Sequence, residues 1–241
     1  MARALESAGS VLAISKFTSG LLCSLPEPVG SRVVRPSLSP EAESLCRRPI
    51  APFSPAAPSL VTVARLVERK GIQHTIEALG ILRRAGISLR LSIIGEGVYL
   101  DALRRQASSE GLEGCVTFHG GLSDEDAAKV VGAASIFVLT PFEDEPGSVE
   151  GYGLAYLEAG ALGKPVIGTR TGGVPEAVRE NETGLLVDAG APPKVAEAIV
   201  RLVQNEGERR RLGEAGRRWA LAHAPSLAAA SLVEALGLDS R

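Results

Sequence analysis

The chain has 241 residues, 45% hydrophobic and 22% charged, the composition of a folded protein with room for one ordinary domain and an appendage. Its 26 basic and 28 acidic side chains leave a net charge of −2, and only 4% of residues are aromatic. There is thus no basic field and little stacking surface for nucleic acid, which is not an expected partner. No apolar run approaches the roughly 18 residues that span a bilayer, Glu6 stands where a signal peptide is apolar, and Cys23, Cys46 and Cys115 have neither zinc nor disulfide spacing. The expectation is a cytoplasmic protein.

Residues 1–35 hold the apolar run Val11–Ile14, a short segment with Phe17, Leu21 and Leu22, and then Arg32-Val33-Val34. That pattern predicts strand, helix, strand, too little to bury a core alone. Residues 36–58 contain Pro36, Pro40, Pro49, Pro52, Pro55 and Pro58. Proline fixes φ and removes a donor, so this stretch is expected to be a linker without an element. From Ser59 a regular alternation begins. Short apolar runs at Leu60–Val63, Leu89–Ile94, Val116–Phe118, Ile136–Leu139, Pro165–Ile167 and Leu185–Val187 alternate with helical stretches. Ile72, Ile76, Leu79 and Leu82 give the first of these helices one buried face. Apolar strands separated by helices predict a doubly wound α/β domain with a parallel sheet covered on both sides, over residues 59–205. Further helices are expected at Pro193–Gln204, Glu208–Ala222 and Ser226–Leu236, so that residues 206–241 form a helical tail.

Ligands of such sheets sit beyond the carboxyl ends of the strands, and the chemically interesting residues follow the strands. After the first comes Ala64-Arg65-Leu66-Val67-Glu68-Arg69-Lys70-Gly71. Arg65 and Lys70, with backbone donors at a helix start, suit a diphosphate, although solvated surface charge is the plainer reading of this loop alone. After the second comes Gly95-Glu96-Gly97, which admits close approach of a ligand or is an ordinary turn. Leu100 stands where a dinucleotide fingerprint has its third glycine. The segment Glu150-Gly151-Tyr152-Gly153-Leu154 leads into a helix that carries Glu158. Carboxylates there accept hydrogen bonds from sugar hydroxyls, while amides near Gly153 and Leu154 hold phosphate. Thr171-Gly172-Gly173-Val174-Pro175-Glu176 adds a glycine turn at the same rim.

In this order, the Arg-Leu-Val-x-x-Lys-Gly loop, the Gly-x-Gly turn, the Glu-x7-Glu segment and the Gly-Gly-x-Pro-Glu turn resemble the donor-binding C-terminal domain of GT-B glycosyltransferases. The likeness is to the retaining enzymes of family 4, and it covers residues 59–205. The resemblance implies a Rossmann-like fold and a nucleotide-diphosphate sugar as substrate. It assigns Arg65 and Lys70 to the leaving diphosphate, Glu150 to the transferred sugar and Glu158 to the ribose, with Gly95, Gly153 and Leu154 at the donor. It further implies transfer with retention, no metal or other cofactor, and an unknown sugar or lipid acceptor in glycolipid or polysaccharide synthesis. Ala64 stands where the family motif usually has glycine, and Arg35-Pro36-Ser37-Leu38 lacks the usual Pro-Asn-Gly turn. Residues 1–35 resemble only the end of the family's N-terminal acceptor domain. A non-catalytic nucleotide-sugar module needing a separate acceptor-domain partner, and a GT-B epimerase, stay open as alternatives.

Other candidates have plainer readings. Asp124-Glu125-Asp126 matches a manganese-binding pattern, but Ser123 and Asp126 stand at capping-box spacing. Glu143-Asp144-Glu145 reads as a solvated loop, and His119 as a local structural residue at the cleft edge with a ligand role as the alternative. His74 and His223 read as partnerless. Arg209, Arg210, Arg211, Arg217 and Arg218 read as a solvated basic face, with contact to an anionic membrane as the alternative.

Overall fold

The computed structural model describes residues 8–34, 36–47, 49 and 58–236. Two short parallel strands, β1 (Leu12–Ala13) and β2 (Arg32–Val33), flank helix α1 (Lys16–Cys23), giving the strand, helix and strand expected for the N-terminal segment. The proline-rich stretch does hold an element, contrary to expectation: α2 (Pro40–Leu45). Ser39 caps it by accepting the Ala42 N–H at 3.1 Å. Pro40 occupies the first turn, where its missing donor is not needed. Leu38, Ala42 and Cys46 are buried against the main domain. Proline density marked this segment as broken, whereas Ser-Pro-Glu is helix-start chemistry. Pro52 and Pro55, also assigned to the linker, lie outside the described residues.

The main sheet has β3 (Ser59–Val63), β4 (Arg90–Ile94), β5 (Val116–Gly120), β6 (Ile136–Val138), β7 (Val166–Thr169) and β8 (Gly184–Val187). They run all parallel in the order β5-β4-β3-β6-β7-β8. The crossover helices are α3 (Ile72–Arg84), α4 (Leu100–Ser109), α5 (Asp124–Ala133), α6 (Leu154–Ala161) and the short α7 (Val174–Ala177). They are followed by α8 (Pro192–Gln204), α9 (Glu206–Leu221) and α10 (Pro225–Leu236).

Strand alternation sorts the core into two layers. Leu60, Ile93 and Ile136 pack under α3, α4 and α8 with Ile76, Leu103 and Ile199. Val61, Ile94 and Phe137 pack under α5, α6 and α9 with Val131, Leu157 and Ala220. Close backbone approach lets α9 cross α6. A Cβ on Gly213 would lie 2.1 Å from the Gly163 carbonyl oxygen, and one on Gly160 would lie 2.9 Å from that of Gly216.

Chain order builds outward from β3 to β4 and β5 on one side, then returns through β6 to β7 and β8 on the other. The reversal falls between β3 and β6, so the loops that follow these two strands face each other across the switch point. No helix among the described residues is long and apolar enough to cross a membrane.

Candidate donor site

The loop after β3 tightens into a single 3-10 turn, Glu68–Lys70, closed by Gly71 at φ 69°. A side chain at Gly71 would meet the Thr140 carbonyl oxygen at 1.7 Å, so the loop lies directly on the residue that ends the β6 region. The Thr140 hydroxyl donates to the Gly71 carbonyl at 2.6 Å and fixes the contact. Crossing the switch point in this way carries Lys70 to the segment before α6, where its ammonium forms an ion pair with the Glu150 carboxylate. Only 14% of the lysine side chain and 13% of the glutamate side chain are exposed, so the pair is far better shielded than a surface salt bridge. Arg65 is exposed and has no partner among the described residues.

Gly95 and Gly97 are required by packing between loops. Cβ atoms there would lie 1.9 Å from the Ala64 carbonyl oxygen and 2.2 Å from that of Leu66. The space that the sequence reading offered to a ligand on that side is taken by the Arg65 loop itself. Leu66 N–H donates to the Glu96 carbonyl at 2.8 Å, and Glu96 accepts the Gly121 N–H at 3.3 Å. These bonds tie the loops after β3, β4 and β5 into one rim.

Gly172 and Gly173 have a similar purpose beneath Glu150. Cβ atoms on them would approach the carbonyl oxygens of Glu150 and Gly151 to 2.2 and 2.0 Å, and Gly173 N–H donates to the Glu150 carbonyl at 2.8 Å. Gly153, at φ 95°, begins α6 with no side chain capping the helix start. Its amides, led by the exposed Leu154, are therefore positioned to receive an acceptor.

The space lined by Glu158 does not include Glu150. Glu158, one turn after Leu154, faces a space of about 420 Å³ walled by α2, α5 and α6, with Val63 and Phe137 in its lining and Asp124, Glu125 and Glu41 among its carboxylates. Glu158 is exposed as a residue, yet partial desolvation of its carboxyl in this space raises it above the usual carboxylate range, and the nearby Asp124 charge adds to the shift. Sequence reasoning missed both the α2 wall and the Asp124–Glu158 proximity. The available signal was Asp124 itself: Lys129 pairs with Glu125 and Asp126 and leaves Asp124 out. Ser123 accepts the Asp126 N–H at 3.2 Å, as the capping reading expected.

The remaining candidates divide. The acidic loop is exposed, with its own turns closed by Glu143 accepting the Gly147 N–H and Asp144 accepting the Glu145 N–H. His119 is the penultimate residue of β5, with Nε2 buried and unbonded. His74 packs on Phe142, and burial lowers its pKa. His223 overturns its reading as partnerless: it is buried, with Nε2 2.8 Å from the Tyr152 hydroxyl and Nδ1 2.9 Å from the Trp219 carbonyl. The supposed basic face is broken too. Arg209 is 4% exposed and donates to the carbonyls of Leu202 and Val203 at the end of α8, while Arg217 donates to the Ala161 carbonyl.

A six-stranded parallel sheet flanked by helices, with its switch point between β3 and β6, defines an α/β domain of the GT-B kind. Residues 48–219 match the family model for group 1 glycosyl transferases, and the chain belongs to that family. It is 38% identical over 166 residues to a GDP-mannose-dependent alpha-(1-6)-phosphatidylinositol monomannoside mannosyltransferase of Mycobacterium tuberculosis, covering 68% of this chain and 43% of that protein. It is 35% identical over 150 residues to the amylovoran biosynthesis glycosyltransferase AmsK of Erwinia amylovora, covering 62% of this chain and 37% of the relative. The chain thus spans less than half the length of these relatives. Among solved structures, Anabaena HepE in complex with UDP and glucose superposes with a TM-score of 0.78 at 21% identity, over 99% of this chain and 65% of HepE, a likeness of fold.

Proposed function

We propose that this chain is the donor-binding part of a glycosyltransferase that takes sugar from a nucleotide-diphosphate sugar with retention of configuration, in glycolipid or polysaccharide assembly. The observation that carries the reading is the shielded Lys70–Glu150 pair, together with Arg65 in the same loop, without a partner among the described residues, and the uncapped start of α6. A diphosphate competes with Glu150 for the lysine ammonium. Once it binds, Arg65, Lys70 and the α6 amides balance the charge that develops on the leaving group, the electrostatic task for which a metal is otherwise recruited. The released Glu150 carboxylate accepts from a sugar hydroxyl, and Glu158 accepts from the ribose. GDP-mannose is the first donor to test, because the mycobacterial relative is named as GDP-mannose-dependent.

Calorimetric titration of the chain with GDP and UDP, with and without EDTA, tests this reading. Binding that persists in the chelator and weakens in the Arg65→Ala and Lys70→Ala variants is expected. Binding that vanishes on chelation overturns the metal-free site, and binding indifferent to both substitutions overturns the assignment.

A further inference from the structure

The start of α1 is held by a side chain of the main domain. Lys16 N–H donates to Glu176 Oε2 at 2.8 Å and Phe17 N–H to Glu176 Oε1 at 2.9 Å, so one carboxylate spans two successive amides. The Ser15 hydroxyl takes the next amide, that of Thr18, at 2.9 Å. Of the donors that a helix start leaves unsatisfied, the carboxylate therefore accepts from those that the cap residue cannot reach, and its charge is favoured by the helix dipole. This contact joins residues about 160 positions apart in sequence.

What α1 does once seated is visible at Gly151. The Thr18 hydroxyl donates to the Gly151 carbonyl at 3.4 Å, and a Cβ on Gly151 would touch Thr18 at 3.5 Å and Ile14 at 3.6 Å. Gly151 directly follows Glu150, and the same peptide is supported from its other side by Gly172 and Gly173. The turn that carries Glu150 is held between α1 and the glycine turn that leads to Glu176. Tyr152 closes the arrangement: its hydroxyl lies 3.3 Å from the Glu176 carbonyl and 2.8 Å from His223, whose carbonyl accepts the Leu38 N–H at 2.9 Å.

We infer that Glu176 is a positioning residue: by clamping the start of α1 it presses the Ile14–Thr18 turn onto Gly151 and fixes the Glu150 carboxylate for the sugar. The clamp stands on the geometry alone, whereas its effect on sugar binding rests on the reading of Glu150 given above.

Two substitutions in the 241-residue chain separate these levels. Glu176→Gln keeps the side-chain volume but offers one acceptor and no charge. Lys16→Pro deletes one of the two bonded amides at the first helical position, where proline is tolerated and where extended Ser15 (ψ 159°) accommodates it. Amide exchange of the peptide covering residues 14–24, read by mass spectrometry, should accelerate about tenfold or more in each variant and no further in the double variant, the mark of one shared contact. Calorimetry should show Kd for GDP within about twofold of wild type in all three, and Kd for GDP-mannose weakened about fivefold or more. Unchanged exchange, or additive losses, overturns the clamp. Faster exchange with an unchanged ratio of GDP-mannose to GDP affinity leaves a purely structural contact and overturns the positioning role. A wild-type chain that binds GDP and GDP-mannose alike overturns the sugar role of Glu150 and the positioning role with it, and exchange still decides the clamp.

Discussion

Substituting alanine for Gly173 isolates steric support of Glu150 from backbone strain. Gly173 has φ −85°, which any residue adopts, so the substitution incurs no conformational penalty. The added methyl would instead sit 2.0 Å from the Gly151 carbonyl oxygen and 3.1 Å from the Tyr152 Cα. Ordinary contact needs roughly 3.4 Å, so backbone must give by about 1.4 Å, and no flexible side-chain tip is available to yield. Overpacking of this kind costs about 1–3 kcal/mol, which lowers Tm by several degrees in a chain of this size. The moving peptide is the one that carries Glu150 away from Lys70, so affinity for a sugar nucleotide should fall further than affinity for the free nucleoside diphosphate. Gly132→Ala is the matched control. It lies in α5 with nothing within 4 Å of the added Cβ, so the exchange of glycine for alanine in a helix should stabilise by about 0.5–1 kcal/mol. Thermal melts and titrations with GDP and GDP-mannose read both effects. A Gly173→Ala chain as stable as wild type, with an unaltered preference for the sugar nucleotide, would refute the reasoning.

Glu158→Ala is expected to weaken GDP binding by about 1.5–3 kcal/mol, while Glu150→Ala leaves GDP nearly unaffected and loses the added affinity of the sugar; equal losses for free GDP contradict these roles. Lys164 is buried, with its ammonium donating to the Gly132 carbonyl; burial, then the charge of Arg217, brings its pKa down to about 8. Between about pH 8 and 10.5 the unfolded chain therefore holds a proton that the folded chain has released, so this group makes stability rise with pH. Lys164→Met should remove that rise in urea melts taken across the interval, and an unchanged pH slope contradicts the shift. The described structure before α2 consists of β1, α1 and β2, and if these are the end of an acceptor-binding domain they cannot by themselves align an acceptor against the donor. The 241-residue chain incubated with labelled nucleotide sugars and a panel of lipid and sugar acceptors should transfer negligibly. Addition of an acceptor domain should restore transfer, and robust multiple-turnover transfer by the chain alone overturns this expectation.

The alternation of apolar runs and helical faces was enough to give the parallel sheet, because strands buried on both faces must be apolar throughout and Leu60, Val61, Ile136 and Phe137 all are. The rim residues were legible for the same reason: they follow those strands. What each glycine does was not legible. Gly95 and Gly97 were open between ligand approach and an ordinary turn, Gly172 and Gly173 read as a glycine turn at the rim, and each of the four faces backbone from a loop distant in sequence. Local sequence reveals only that a side chain is missing. Arg209 and His223 failed similarly, since a charge run and an isolated ring carry no sign of the carbonyls and hydroxyl that bury them.

The contacts that sequence could not show share a direction. Lys70 reaches Glu150 from the loop after β3, Gly172 and Gly173 support the same turn from the loop after β7, and α1 covers it from the N-terminal segment. Three segments remote from one another in the chain thus fix a turn that, on its own, has two glycines in the three residues after Glu150 and little intrinsic rigidity. A carboxylate that must discriminate one sugar hydroxyl needs its geometry held closely. Here that order comes from outside the motif that carries the carboxylate. Loosening the support from the glycine turn or from α1 should therefore affect recognition of the sugar before it affects the nucleotide, whose proposed diphosphate contacts lie in the separately braced loop of Arg65 and Lys70.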